Sequence, residues 1–141
     1  MISYTDSLAR ISAGNLGGFF VDWPNPPSPE IHLKLLENSE QVVLALDEET
    51  EKAVGFITAI SDKVLSAYIP LLEVLPAYRG KGIGQELVRR MLSKLKGLYM
   101  VDLICDPTMQ PFYKRVGMRK ATGMMLRHYE NQAGESVGRP N

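Results

Sequence analysis

The chain holds one cysteine, Cys105, among 141 residues, which excludes an intrachain disulfide and a multi-cysteine metal site. It also lacks an excess of either charge, since Lys plus Arg and Asp plus Glu each number 16. That balance supplies no long-range positive field, so no nucleic-acid partner is expected. Long hydrophobic runs are missing as well. The stretches Ala67 to Leu72 and Gly97 to Cys105 fall far short of the roughly 20 apolar residues that cross a bilayer, so no membrane partner is expected. No apolar run precedes Asp6 and Arg10, so the N-terminus does not read as a secretory signal. The two histidines, His32 and His128, stand far apart without ligand spacing; neither is read as catalytic and no metal is expected. A reducing, cytoplasmic location is the expectation from these absences.

What is present suffices for a core. Hydrophobic residues make up 45% of the chain against 23% charged, and a chain of this length buries most of the surface it exposes when unfolded. One domain is expected over residues 1–129, with 130–141 as a flexible, apolar-poor tail.

Periodicity divides the domain into short elements. Ile2 to Tyr4 reads as a first strand, and Ser7 to Phe20, with its glycines, as a weak or broken helix. Asp22 to Ser28 carries three prolines in seven residues and must be a loop. Ser28-Pro29 is a cap followed by proline at the first helical position, so a helix should run from there to about Asn38, with Ile31, Leu35 and Leu36 on one face. Gln41 to Leu46 and Ala53 to Ile60 read as strands around a charged turn. Val64 to Leu75 is extended, with Pro70 interrupting the ladder. Ile83, Leu87, Met91 and Leu95 recur at every fourth position, one face of a helix closed by Gly97. A strand over Tyr99 to Cys105, a short helix over Met109 to Val116 and one or two final strands within Met118 to Tyr129 complete the pattern.

The segment carrying chemistry is Tyr78-Arg79-Gly80-Lys81-Gly82-Ile83-Gly84, a glycine-rich turn between a strand and a helix. The free amides at a helix start attract a phosphate dianion, and glycines admit close backbone approach. No Gly-Lys-Ser/Thr follows, so this is not a nucleoside-triphosphate loop, and the spacing of Gly80, Gly82 and Gly84 misses the dinucleotide fingerprint.

The run Leu72-Glu73-Val74-Leu75-Pro76-Ala77-Tyr78-Arg79-Gly80-Lys81-Gly82-Ile83-Gly84, followed by Pro111-Phe112-Tyr113-Lys114-Arg115-Val116-Gly117-Met118, resembles the GNAT superfamily of N-acetyltransferases. The resemblance covers about residues 2–129. It implies an α/β (α+β) fold, a mixed and mostly antiparallel central sheet flanked by helices and splayed at a CoA site. It further implies an acetyl-CoA-dependent N-acetyltransferase, in which the amides of Arg79, Gly80, Lys81, Gly82, Ile83 and Gly84 meet the pyrophosphate and the Val74 amide polarises the acetyl carbonyl. A neutral primary amine, expected to be a small molecule, would attack the thioester directly in a ternary complex. Tyr113 matches the family's general-acid tyrosine, against a reading as a packing residue. Asp106 stands where many relatives have Asn.

Glu73 is a carboxylate in an apolar strand, on the face opposite Leu72 and Val74. It is read as base or amine anchor, or else as a structurally paired carboxylate. Phe19, Phe20 and Trp23 are read as acceptor-pocket wall, core or lid. Cys105 is read as a small buried hydrophobe beside the thioester. The competing functional readings are a protein N-terminal or lysyl acetyltransferase and a noncatalytic CoA-binding regulator. A homodimer is compatible with the sequence but not dictated by it.

Overall fold

The computed structural model describes residues 1–135; the distal part of the expected flexible tail, residues 136–141, lies outside the described residues. A six-stranded, mixed and mostly antiparallel sheet runs through the molecule with helices on both faces, as the resemblance implies. Its strands are β1 (Ile2–Thr5), β2 (Gln41–Asp47), β3 (Lys52–Ser61), β4 (Ser66–Tyr68), β5 (Leu72–Val74) and β6 (Met100–Asp102). β1, β2 and β3 pair antiparallel in sequence, β3 then meets both β4 and β5, and β6 lies parallel beside β4.

The helices are α1 (Pro29–Asn38), α2 (Ile83–Leu95) and α3 (Gln110–Lys114). α1 starts where the Ser-Pro signal puts it, and Ser28 Oγ accepts the Ile31 amide at 3.2 Å. Its buried line is His32 and Leu36, whereas Ile31 and Leu35 are only half-buried, so the expected face is rotated by one position. α2 buries Ile83, Leu87, Val88, Met91 and Leu95, the spacing read from sequence. This stripe packs with Val43, Ala45, Val54, Ile57 and Ala59 on one face of the sheet, where Phe112, Tyr113 and Val116 join it. The other face buries Leu44, Leu46 and Phe56 under α1 and the 16–20 loop.

Three expectations are corrected. Ser7 to Phe20 is loop apart from one 3₁₀ turn, Ala13–Asn15, because Gly14, Gly17 and Gly18 break any helical stripe. The strand expected over Tyr99 to Cys105 ends at Asp102, since its partner strand turns away at Pro70, which has no amide to offer a ladder. No strand forms within Met118 to Tyr129; residues 119–129 are exposed, and the segment joins no sheet among the described residues. A 3₁₀ turn, Tyr129–Asn131, follows, and the Gln132 side chain accepts the Asn25 amide at 2.9 Å. That contact joins Gln132, within the segment expected as a tail, to the loop before α1.

Candidate active site

β4 and β5 are two halves of one strand opposite β3, parted at Ile69-Pro70-Leu71. On the β4 side the ladder to β6 ends with the Ile69 amide donating to the Asp102 carbonyl at 2.9 Å. Beyond that bond β5 pairs with β3 alone, so its second edge opens into a gap beside Leu103 to Cys105. The direction of the β5 backbone follows from two bonds. The Leu75 amide donates to the Val54 carbonyl at 2.8 Å, and the Leu71 carbonyl accepts from the Thr58 amide at 3.1 Å. Main-chain groups alternate along a strand, so positions 71, 73 and 75 address β3 while Leu72 and Val74 address the gap. The Val74 carbonyl accordingly accepts from Arg79 Nε at 3.0 Å. Its amide points the same way, the orientation required of a donor to a carbonyl lodged in the gap.

The glycine-rich turn continues directly from β5. Pro76–Tyr78 forms a 3₁₀ turn fastened to the end of β2 by the Tyr78 hydroxyl, which donates to the Asp47 carboxylate. That hydrogen bond is the main reason the Asp47 carboxyl sits below its ordinary range. Gly80 and Gly82 then adopt φ of 77° and 82°, a left-handed backbone that other residues take only at a cost. No atom lies within 4 Å of where a Cβ would stand at either position. Gly82 caps α2 without a side-chain hydrogen bond, so the first amides of a 13-residue helix face open space. A diphosphate fits this arrangement, because the amides are unpartnered within the helix, the helix dipole favours anions, and the space a side chain would fill is empty.

Tyr113 lies on α3 and packs against the α2-side core, its ring edge-on to Phe112 at 5.0 Å. Desolvation, then the nearby Cys105, push its hydroxyl up to about 12, so at neutral pH it is a protonated donor. Cys105 is half-buried. The Asp106 side chain makes no capping bond to the 3₁₀ turn that follows it, Pro107–Met109.

Glu73 projects to the opposite face, as alternation requires, and there it meets a partner that sequence reasoning could not see. Its Oε1 accepts the Phe20 amide at 2.8 Å and its Oε2 the Val21 amide at 3.2 Å. Phe20 and Asp22 both have positive φ, 61° and 67°, so the carboxylate holds a loop whose backbone is strained for these residue types. The paired-carboxylate reading thus describes its contacts. Each oxygen retains a second lone pair for a ligand.

Phe19 and Phe20 are buried, and their rings lie against His32 with centroids 5.2 Å and 4.9 Å away, while the exposed Trp23 ring meets Phe20 at 4.9 Å in a tilted arrangement. His32 and Thr58 leave side-chain polar atoms buried without partners. A furrow of ≈ 430 Å³ between β1 and α2 lies at the far edge of the sheet, and its charges are taken up by the Lys94–Asp6 and Arg89–Glu86 pairs. The described residues contain no group of three or more potential metal-ligating side chains. No helix among them is long and apolar enough to cross a membrane.

The parted sheet, the open strand-turn-helix and the outward strand amide at the fork form the layout that the resemblance to the GNAT superfamily implies. The model of the acetyltransferase (GNAT) family matches residues 8–118, and the chain belongs to that family. A crystal structure from Deinococcus radiodurans R1, assigned to the acetyltransferases, superposes with a TM-score of 0.91 at 46% identity, covering 94% of this chain and 92% of that one. A GNAT family protein of Streptococcus pneumoniae superposes at 0.68 with 27% identity over 91% of this chain and 98% of its own. Among curated proteins, an uncharacterised ycf52-like N-acetyltransferase of Prochlorococcus marinus is 33% identical over 69% of this chain and 56% of its own length. A chloroplastic serotonin N-acetyltransferase of Oryza sativa is 28% identical over 79% of this chain and 58% of its own length. The chain thus spans a little over half the length of these curated relatives.

Proposed function

We propose that the chain transfers the acetyl group of acetyl-CoA to a primary amine of a small molecule in a ternary complex, in a cytoplasmic setting. The observation that carries this reading is the continuity of the outward Val74 amide with the open, left-handed Gly80 and Gly82 at the start of α2. Acetyl-CoA would supply an acyl group already activated as a thioester. The amides from Arg79 to Gly84 would hold its diphosphate, and the Val74 amide would donate to the acyl oxygen, where negative charge develops in acyl transfer. The Tyr113 hydroxyl, protonated by virtue of its burial, would give its proton to the departing sulfur. Glu73 would use its remaining lone pairs to take up the amine's charge or proton, while its two loop amides fix its orientation.

A small acceptor is favoured by the proline-rich loop from Asp22 to Ser28, which joins the Glu73-bound segment to α1 and lies next to Gln132 from the C-terminal end. The rice relative is named for a small amine, which accords with this choice.

The test is an acetyl-CoA consumption assay against small amines, amino acids and peptides, with enzyme lacking acceptor as the hydrolysis control. Turnover with one class of small amine is expected, and Tyr113→Phe should lower the chemical step by about a hundredfold with CoA binding retained. Tight CoA binding with no turnover on any amine would leave a cofactor-binding regulator. Peptide turnover alone would replace the small-molecule acceptor.

A further inference from the structure

A turn that grips an anion with its amides must keep those amides free, and so gives up the bonds that ordinarily hold a loop in place. Among the described residues the amides of Gly80, Lys81 and Gly82 make no main-chain hydrogen bond. Gly80 and Gly82 have no side chain to pack, and both stand at positive φ. The position of the turn is therefore set by what holds it on either side.

On the downstream side Ile83 is buried and seats the start of α2. On the upstream side the hold is Tyr78. Its amide closes the 3₁₀ turn on the Leu75 carbonyl at 2.9 Å, its ring packs against the α2-side core, and its hydroxyl donates to Asp47 Oδ2 at 2.5 Å. Asp47 is itself fixed at the end of β2: its carbonyl accepts the Glu51 amide at 2.8 Å, and its Oδ1 accepts the Glu49 amide at 3.0 Å. One carboxylate thus joins the turn between β2 and β3 to the segment that leads into the anion site.

The joining bond is charge-assisted. The Tyr78 hydroxyl, and after it the Glu49 amide, hold the Asp47 carboxyl below its ordinary range, while the same bond holds the Tyr78 hydroxyl above its own. At neutral pH a carboxylate therefore faces a protonated phenol, the stronger kind of hydrogen bond. The Lys81 ammonium stands 5.5 Å from the centroid of the Tyr78 ring, within cation–π range, so the same ring also steadies a cation of the turn.

We propose that Asp47 and Tyr78 are positioning residues for the diphosphate of the cofactor, their hydrogen bond presetting the turn from Arg79 to Gly82 so that binding does not have to order it. The inference rests on the acetyl-CoA reading above and extends it to two residues that act through the turn.

Tyr78→Phe keeps the ring and its packing and removes only the hydroxyl. Calorimetry with CoA should show an affinity loss of about five- to tenfold, the scale of one hydrogen bond. Asp47→Asn should lose part of that affinity alone and nothing further when added to Tyr78→Phe, because the two residues share one bond. Steady-state rates with an accepted amine separate positioning from general support of the fold. In Tyr78→Phe acetyl-CoA should show a raised KM with kcat retained, whereas S-acetylpantetheine, a thioester donor without the diphosphate, should be used as well as by the parent. A parent that binds CoA beside a folded Tyr78→Phe that binds it equally well overturns this inference and leaves the transfer reading standing. Additive losses in the double variant, or equal losses with both donors, overturn it too. A parent that binds no CoA overturns the transfer reading and this inference together.

Discussion

The His32 imidazole is 1% exposed, and neither nitrogen has a hydrogen-bond partner, so its charged form would lose water and gain nothing in return. Burial pushes its pKa down from 6.5 to about 4. The folded state therefore resists a proton that the unfolded state takes up, and stability is full above the unfolded value and lost as pH falls toward the folded one. The corresponding loss between about pH 6.5 and 4 is on the order of 3 kcal/mol. Denaturant unfolding at neutral and mildly acidic pH should show it, and His32→Leu should flatten the difference. An equally steep pH dependence in that variant would assign the loss to other groups. Glu73 offers a second residue-scale test. Glu73→Gln should depress turnover and alter the acidic limb of the pH profile while leaving acetyl-CoA affinity nearly unchanged. Glu73→Asp keeps the charge but shortens the reach to the Phe20 and Val21 amides, so a raised acceptor KM with the acidic limb retained would identify loop positioning as the dominant role.

Within the turn and helix, the three glycines are not equivalent. Gly82, with φ 82° and open space around it, should be intolerant of Val, which adds backbone strain and fills the anion space. Calorimetry should register at least a tenfold loss of CoA affinity, about 1.4 kcal/mol or more, with the fold intact. At Gly84 an added Cβ would meet Phe112 and Val74 at an ordinary 3.7 Å, so Gly84→Ala should bind CoA nearly as the parent does. Equal losses in the two variants would remove the turn from the binding account. Across the sheet, Gly55 admits α2: a Cβ there would stand 3.0 Å from Leu87 and 3.3 Å from Ile83. Gly55→Ala should cost about 1–3 kcal/mol of stability in thermal or denaturant unfolding, the range for overpacking. The elements most legible in sequence were those that satisfy themselves locally. α2 announces its stripe in Ile83, Leu87, Met91 and Leu95, and α1 its start in Ser28-Pro29. The turn was legible because glycines clustered just ahead of a helical stripe form a purely local pattern. Glu73 was visible as an anomaly, but its partners lie more than 50 residues away in the chain, on a loop with no periodic pattern. The Met118–Tyr129 segment has strand composition but no ladder among the described residues, and composition alone cannot supply a pairing edge.

For the molecule as a whole, the core on both sheet faces outweighs its charges. Ion pairs such as Arg10–Glu48 and Lys63–Glu40 lie at the surface, where each contributes roughly 0–1 kcal/mol and is screened by salt. Added sodium chloride should therefore shift the melting temperature by only about a few degrees in differential scanning calorimetry. A large drop would give these pairs a share of the stability that their exposure denies them.

The bond from Glu73 to the Phe20–Val21 backbone also bears on whether two substrates would sense one another. Glu73 sits between Leu72 and Val74, whose main chain lines the proposed acyl side, while its carboxylate holds the Phe20–Val21 loop on the proposed amine side. A carboxylate shared by both sides is a route for coupling, and thermodynamic reciprocity requires that any tightening of one substrate by the other be returned by the same factor. Calorimetric titration of the amine with and without a nonreactive CoA thioether should reveal that mutual tightening, and Glu73→Asp should bring the factor toward unity. Initial-rate patterns should accordingly show each substrate lowering the KM of the other, a synergy that should fade in Glu73→Asp.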